Sequence, residues 1–295
     1  MVSAFWQQVV ADGLNVPTDR PLDEMTVELT TMLGDPDPAV RDGIGYPTLA
    51  TWIEGGVYDD LLPGLGDGMA VGLERGLGES GTDAVFTRSF SALVLAECIE
   101  RDTRAGLVPA DRILRWGDRL MTWFLRERDL RGFVPGKGWA HAVAHGADCL
   151  GALARSPHLG RNELTVLLDV VADRLLLATD TIFTAGEPDR LAVAVMQVLR
   201  RELLDLKLLE PWVARIAAGA VPAGDADHDP FRHAGNAQAF LRSLHLQLAL
   251  GVPQPQLRSD LLLVLIEHLR ASNPWLFTPE DDREGASARD ARTAQ

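Results

Sequence analysis

Lysine is nearly absent from this chain: Lys137 and Lys207 are the only two among 28 basic side chains. In a composition so biased toward arginine, a retained lysine marks a place where a compact three-donor ammonium suits better than a planar fork. Cysteine is as scarce. Cys98 and Cys149 both fall in segments with helical patterning, which argues against a disulfide and for small buried apolar residues in a reducing cytoplasm. No run approaches the ~20 consecutive apolar residues of a membrane span. The first sixteen residues lack the basic stretch and apolar core of a secretory signal. Nowhere do apolar and polar residues alternate at the strand period. Positive charge is in deficit, the net charge being −14, which argues against general nucleic-acid binding or docking on an anionic membrane. It leaves room for a local basic pocket.

What is there is helix after helix. Apolar residues make up 46% and charged residues 24% of 295 positions, the balance of a globular chain long enough to bury a sizeable core. Periodicity predicts about a dozen helices, over 3–12, 21–33, 37–54, 59–75, 84–103, 110–128, 137–155, 161–179, 188–204, 209–219, 231–250 and 256–271. Asp37-Pro38, Pro109-Ala110-Asp111 and Glu187-Pro188-Asp189 are helix-start signals. Paired, these helices make a unit of roughly 40 to 50 residues, the scale of HEAT and armadillo repeats. The expected fold is therefore an all-α superhelix of about six hairpins over 1–276, with a closed α/α barrel as the rival. Residues 277–295 are acidic, aperiodic and expected to form a disordered tail.

Polar chemistry concentrates between Gly132 and Asp148. Gly136 and Gly138 flank Lys137, and Trp139 follows. On a helix, His141, His145 and Asp148 at i, i+4 and i+7 fall within about 60° of one another. Val143, Ala147, Leu150 and Ala154 point the other way and form the buried face. Asp148, one turn beyond His145, is placed to accept from its imidazole, fix the tautomer and raise the pKa. A metal is a weaker reading. His141 and Asp148 are about 10 Å apart along the axis, so an ion needs ligands from another helix, and neither a metal nor a cofactor is assigned. Gly-Lys-Gly lacks the spacing of a P-loop.

Two more helices carry the same kind of stripe: Gln238, Arg242 and His245 on one, Arg190, Gln197 and Arg201 on the other. Each stripe alone reads as a solvated face. In a solenoid, alternate helices line the concave side, so the three together predict a groove where Lys137, Arg190 and Arg242 converge with Trp139, His141, His145, Gln238 and His245. Arg88 lies in a helix apolar nearly all round. A buried arginine needs a carboxylate, and Asp83 or the region of Asp42 is the expected partner.

Three segments carry a family resemblance: Asp35-Pro36-Asp37-Pro38-Ala39-Val40-Arg41-Asp42, then residues 85–96 (Val-Phe-Thr-Arg-Ser-Phe-Ser-Ala-Leu-Val-Leu-Ala), then 129–148, which contains Gly-Phe-Val-Pro-Gly-Lys-Gly-Trp-Ala-His. Through them, over roughly residues 20 to 250, the chain resembles the bacterial family called domain of unknown function 2785. That resemblance implies a helical, HEAT-like fold and no established activity. From the residues themselves, the leading expectation is a binding protein whose groove takes an anionic small molecule or acidic peptide, through Lys137, Arg190 and Arg242. The alternative is a hydrolase or lyase with His145 and Asp148 as base and Lys137 as electrostatic stabiliser. Oligomeric state is not legible.

Overall fold

In the computed structural model, residues 3–222 and 229–277 are described. Its elements are α1 (Ala4–Ala11), α2 (Leu22–Met32), α3 (Pro38–Val40), a π-helical turn (Arg41–Gly45), α4 (Tyr46–Glu54), a 3-10 turn (Asp59–Leu61), α5 (Leu62–Gly72), α6 (Ala84–Ala105) and α7 (Ala110–Arg126). A two-strand hairpin follows, β1 (Phe133–Val134) and β2 (Gly138–Trp139). Then come α8 (Ala142–Arg155), α9 (Arg161–Leu176), α10 (Glu187–Leu199), α11 (Leu206–Gly219), α12 (Pro230–Leu250), α13 (Arg258–Ser272) and α14 (Pro274–Phe277). Among the described residues the protein is all-α apart from that hairpin. Beyond Phe277, the expected tail lies outside the described residues.

Local chemistry explains most boundaries. Asp37 caps α3 by accepting from the Ala39 amide, with Pro38 at the first helical position, where its missing N–H costs nothing. Asp205 caps α11 on the Leu208 amide. Helix α6 ends at Gly106, whose φ of 66° is the left-handed stop that glycine adopts readily. Two expected helices are corrected. The span 37–54 is broken into α3, the π turn and α4, and the span 137–155 begins only at Ala142.

Every second helix stacks on the last. Helices α4, α6, α8, α10 and α12 form one layer, each against the next, and α5, α7, α9, α11 and α13 form the other. Ion pairs follow the same interval: Arg190 with Asp148, Arg161 with Asp205 and Arg215 with Asp173 join residues 42, 44 and 42 positions apart. Between the layers, buried side chains make one cluster running from Trp6 to Leu265. Helix α7 shows how the layers meet. It buries Ile113, Trp116, Leu120, Trp123 and Phe124 on one stripe. Gly146 of α8 seats against the Phe124 ring, where an added Cβ would come within 2.4 Å of a ring carbon. That close approach fixes α8, and with it the polar cluster, against α7.

Arg88 is buried as expected but not on the expected carboxylate. Its Nε and Nη2 donate to Glu127 at 2.5 and 2.9 Å. Asp83 is taken by Lys137 and Asp42 by Arg41.

Candidate functional site

The site is built around the hairpin. Pro135 and Gly136 make its turn, with Gly136 and Gly138 at φ of 76° and 77°, conformations that glycine adopts without the strain other residues would bear. Phe133 pairs with Trp139 and Val134 with Gly138. Underneath lies Arg41, fully buried, its guanidinium 4.1 Å from the Phe86 ring centre and 4.9 Å from that of Phe90. Arg41 donates to the Asp35 carbonyl at 2.7 Å and the Lys137 carbonyl at 2.8 Å, and pairs with Asp42 at 2.7 Å. The Lys137 ammonium holds both oxygens of Asp83, at 2.6 and 2.8 Å. Both ends of Lys137 thus pin the hairpin to α6 and to the π turn.

His141 is not on the helix. It is the residue before α8, in the left-handed region at φ 50°, ψ 34°, so the helical phase expected to align it with His145 does not apply. Packing brings the two rings together all the same, edge to face with centres 5.7 Å apart. Trp139 stacks on His141 at 4.2 Å, and the His141 Nε2–H donates to the Ala185 carbonyl at 3.1 Å. Burial lowers the pKa of His141.

His145 is 7% exposed. Its Nδ1 lies 2.7 Å from Ser89 Oγ, which itself donates to the Ala140 carbonyl. A hydroxyl has one proton to give, so Nδ1 carries the hydrogen and Nε2 is left with a bare lone pair. No partner meets that Nε2 among the described residues. Burial first, then the nearby His141 and Arg190, push the pKa down to about 3. The expected His145–Asp148 dyad is corrected on two counts: Ser89, not Asp148, fixes the tautomer, and the imidazole becomes less basic rather than more. Asp148 instead accepts from Arg190, Nε at 2.6 Å and also Nη2. Burial raises its pKa against the opposing pull of Arg190, and the hydrogen bond to Asp148 raises that of Arg190. Beside this pair, the Tyr46 hydroxyl donates to Glu97 at 2.8 Å. Its phenol is pushed up by burial first, then by Glu97.

Of the three stripes, only Arg190 joins the histidines. On α12, Gln238 is buried and donates to the Ala220 carbonyl. Arg242 donates to Gln238 and Asn273 at 3.0 Å each, and His245 is half-buried on the same helix. Arg201 closes the end of α8 on the carbonyls of Ala154, Ser156 and Leu159. Lys137, Arg190 and Arg242 therefore each answer a different partner. Among the described residues, no three His, Cys, Asp or Glu side chains are grouped to hold a metal ion. No helix there is long and apolar enough to cross a membrane. The residues that sequence reasoning missed are Ser89, Tyr46, Glu97 and the Arg41–Asp42 pair. A usable signal was the adjacency of Arg88 and Ser89 in an otherwise apolar helix.

No curated protein and no solved structure matches the chain. A family model described as "Protein of unknown function (DUF2785)" matches residues 73–246. The match takes in the segments 85–96 and 129–148, together with Lys137, His141, His145, Asp148 and Arg190. It leaves out Asp35–Asp42, and so the arginine on which the hairpin rests. With more than half of its residues inside the match, the chain belongs to this family of unknown function, DUF2785.

Proposed function

We propose that this is a ligand-binding protein built as an open superhelix of helical hairpins, HEAT-like in plan. In this reading a small polar molecule binds at the corner of His141, His145, Asp148 and Arg190. The next-but-one stacking of helices in two layers is the packing that stacked hairpins produce, and it supports the superhelical reading. The carrying observation for the ligand is the His145 Nε2: a nearly buried acceptor with its tautomer fixed and no partner among the described residues. That lone pair still reaches solvent, and a ligand O–H or N–H taking the place of water there gains a hydrogen bond worth about 0.5–1.5 kcal/mol net. Arg190 spends Nε and Nη2 on Asp148 and keeps Nη1 for a ligand carboxylate or phosphate. Trp139, stacked on His141, supplies a flat wall. The ligand that fits carries one anionic group and at least one hydrogen-bond donor. Binding is favoured over general-base chemistry, because an imidazole with a pKa near 3 is a weak proton acceptor at neutral pH.

Two measurements test this. In imidazole 15N spectra, the His145 ring should stay neutral from pH 8 to pH 4. In the unfolded chain it titrates near 6.5, against about 3 when folded. Between those values the unfolded state binds more protons, so acid should lower stability by up to about 1.4 kcal/mol per pH unit. A thermal-shift screen of hydroxylated carboxylates and phosphates, with cations as controls, should then yield ligands that move the His145 Nε2 resonance. Their effect should be lost in Arg190→Gln. Hits that stabilise Arg190→Gln as well as the parent protein would sink the reading.

A further inference from the structure

A cavity of about 610 Å³ lies past the end of α7, away from the histidines. It is lined by Arg126, Arg128, Arg174 and Glu127, with Leu125 and Leu177 among its apolar walls. Arg174 is the built part of it. The side chain is 4% exposed, and its Nη1 donates to the carbonyls of Phe124 and Glu127 at 3.1 Å each, closing the α7 terminus. Its Nε is buried with no partner, and its Nη2 meets none among the described residues. Arg126 and Arg128 are exposed and their guanidinium groups make no ion pair among the described residues.

The one carboxylate in the lining does not offset these charges. Glu127 is already taken by Arg88 Nε and Nη2, by Trp123 Nε1 at 2.8 Å, and by the amides of Arg128 and Asp129 at 2.9 Å each. Its charge is matched from beneath, by Arg88. The lining thus holds three arginines, Arg174 with its Nη2 unused and Arg126 and Arg128 exposed, in a protein whose overall charge is −14. At physiological salt, charges beyond ~8 Å are largely screened, so a bound group feels the three arginines before the acidic surface.

We propose that this cavity is an anion site for a small phosphorylated molecule, its phosphate held by Arg174 with Arg126 and Arg128, and its apolar part against Leu125 and Leu177. Guanidinium groups give phosphate oxygens parallel, charge-assisted N–H donors, and a phosphate ester supplies enough acceptors for all three. The site is independent of the histidine corner and can stand or fall without it.

Isothermal titration with phenyl phosphate, inorganic phosphate and benzoate tests the proposal. The expected result is saturable binding of phenyl phosphate, tighter than inorganic phosphate, which lacks the apolar part, and tighter than benzoate, which carries a single charge. Arg174→Gln removes a helix-end contact and can unfold the protein, so the decisive variant is the Arg126→Gln/Arg128→Gln double substitution on the surface. It should keep the parent melting temperature and weaken phenyl phosphate binding about tenfold or more. Absence of binding at millimolar phenyl phosphate, or equal affinity in the double variant, overturns the proposal.

Discussion

Arg88 and Arg41 are both fully buried, and they solve the same problem in opposite ways. Arg88 has a bidentate carboxylate in Glu127, and its remaining N–H groups go to the carbonyls of Arg75, Gly76 and Glu79. Arg41 sits on two phenyl rings, has a half-exposed partner in Asp42, and leaves its Nε without a partner. Burying a charge is tolerable only when it is paired and hydrogen-bonded. Arg88 meets that condition entirely within the protein. Arg41 meets it through backbone carbonyls of two loops and through aromatic faces, at a place where structure passes over into a candidate site. One cation locks a junction of α6, α7 and the 75–79 turn; the other carries the hairpin and tolerates some incompleteness.

The largest test of that contrast is Glu127→Ala. It strands a buried guanidinium, and urea unfolding should show a loss of about 3–5 kcal/mol. An Arg88→Met/Glu127→Leu double variant should recover part of it, since no charge is then stranded, while Trp123 Nε1 and the Arg128 and Asp129 amides still lack their acceptor. If Glu127→Ala costs less than 1 kcal/mol, the locked junction is not what holds these elements.

Arg41→Met comes next. Its partners are carbonyls and an exposed carboxylate that water can serve, so the expected loss is about 1–3 kcal/mol. Hydrogen exchange should quicken at the Lys137 and Ala140 amides, which close the hairpin and the approach to α8, with little change in α7. Uniform quickening throughout the molecule would mean that Arg41 acts as Arg88 does.

The smallest effect belongs to Lys137→Ala. Its pair with Asp83 leaves each side chain about 40% exposed, 41% and 42%, and such a pair contributes about 0–1 kcal/mol. Unchanged thermal stability in 1 M salt, where the pair is screened, would agree with that. A loss as large as that of Arg41→Met would place Lys137 among the structural anchors.

Helix periodicity was readable because burial repeats along the chain. The stripe of α7 and the start signals before α3 and α10 depend on near neighbours alone. What stayed hidden depends on distant ones. Ser89 and His145 are 56 positions apart, Arg88 and Glu127 39, Arg190 and Asp148 42. Nothing in a single sequence says which carboxylate will answer which arginine. The expectation of an early helix start at Lys137 failed for a local reason as well. Gly136 and Gly138 flank a lysine in the sequence, and their positive φ folds the chain back on itself. That same turn takes His141 off the helix, so its ring meets that of His145 through packing and not through helical phase.

The stacking of each helix on the next but one has a consequence for how the molecule comes apart. Helix α8 has a layer neighbour on each side, in α6 and α10, whereas α13 closes its layer among the described residues. An interior unit can open only by parting from two neighbours and an end unit from one, so local free energies should grade from the ends toward the middle. On that expectation the histidine corner, at the start of α8 and on α10, belongs to the slowest-opening part of the gradient. Hydrogen exchange should then be slowest around the imidazole whose tautomer Ser89 fixes.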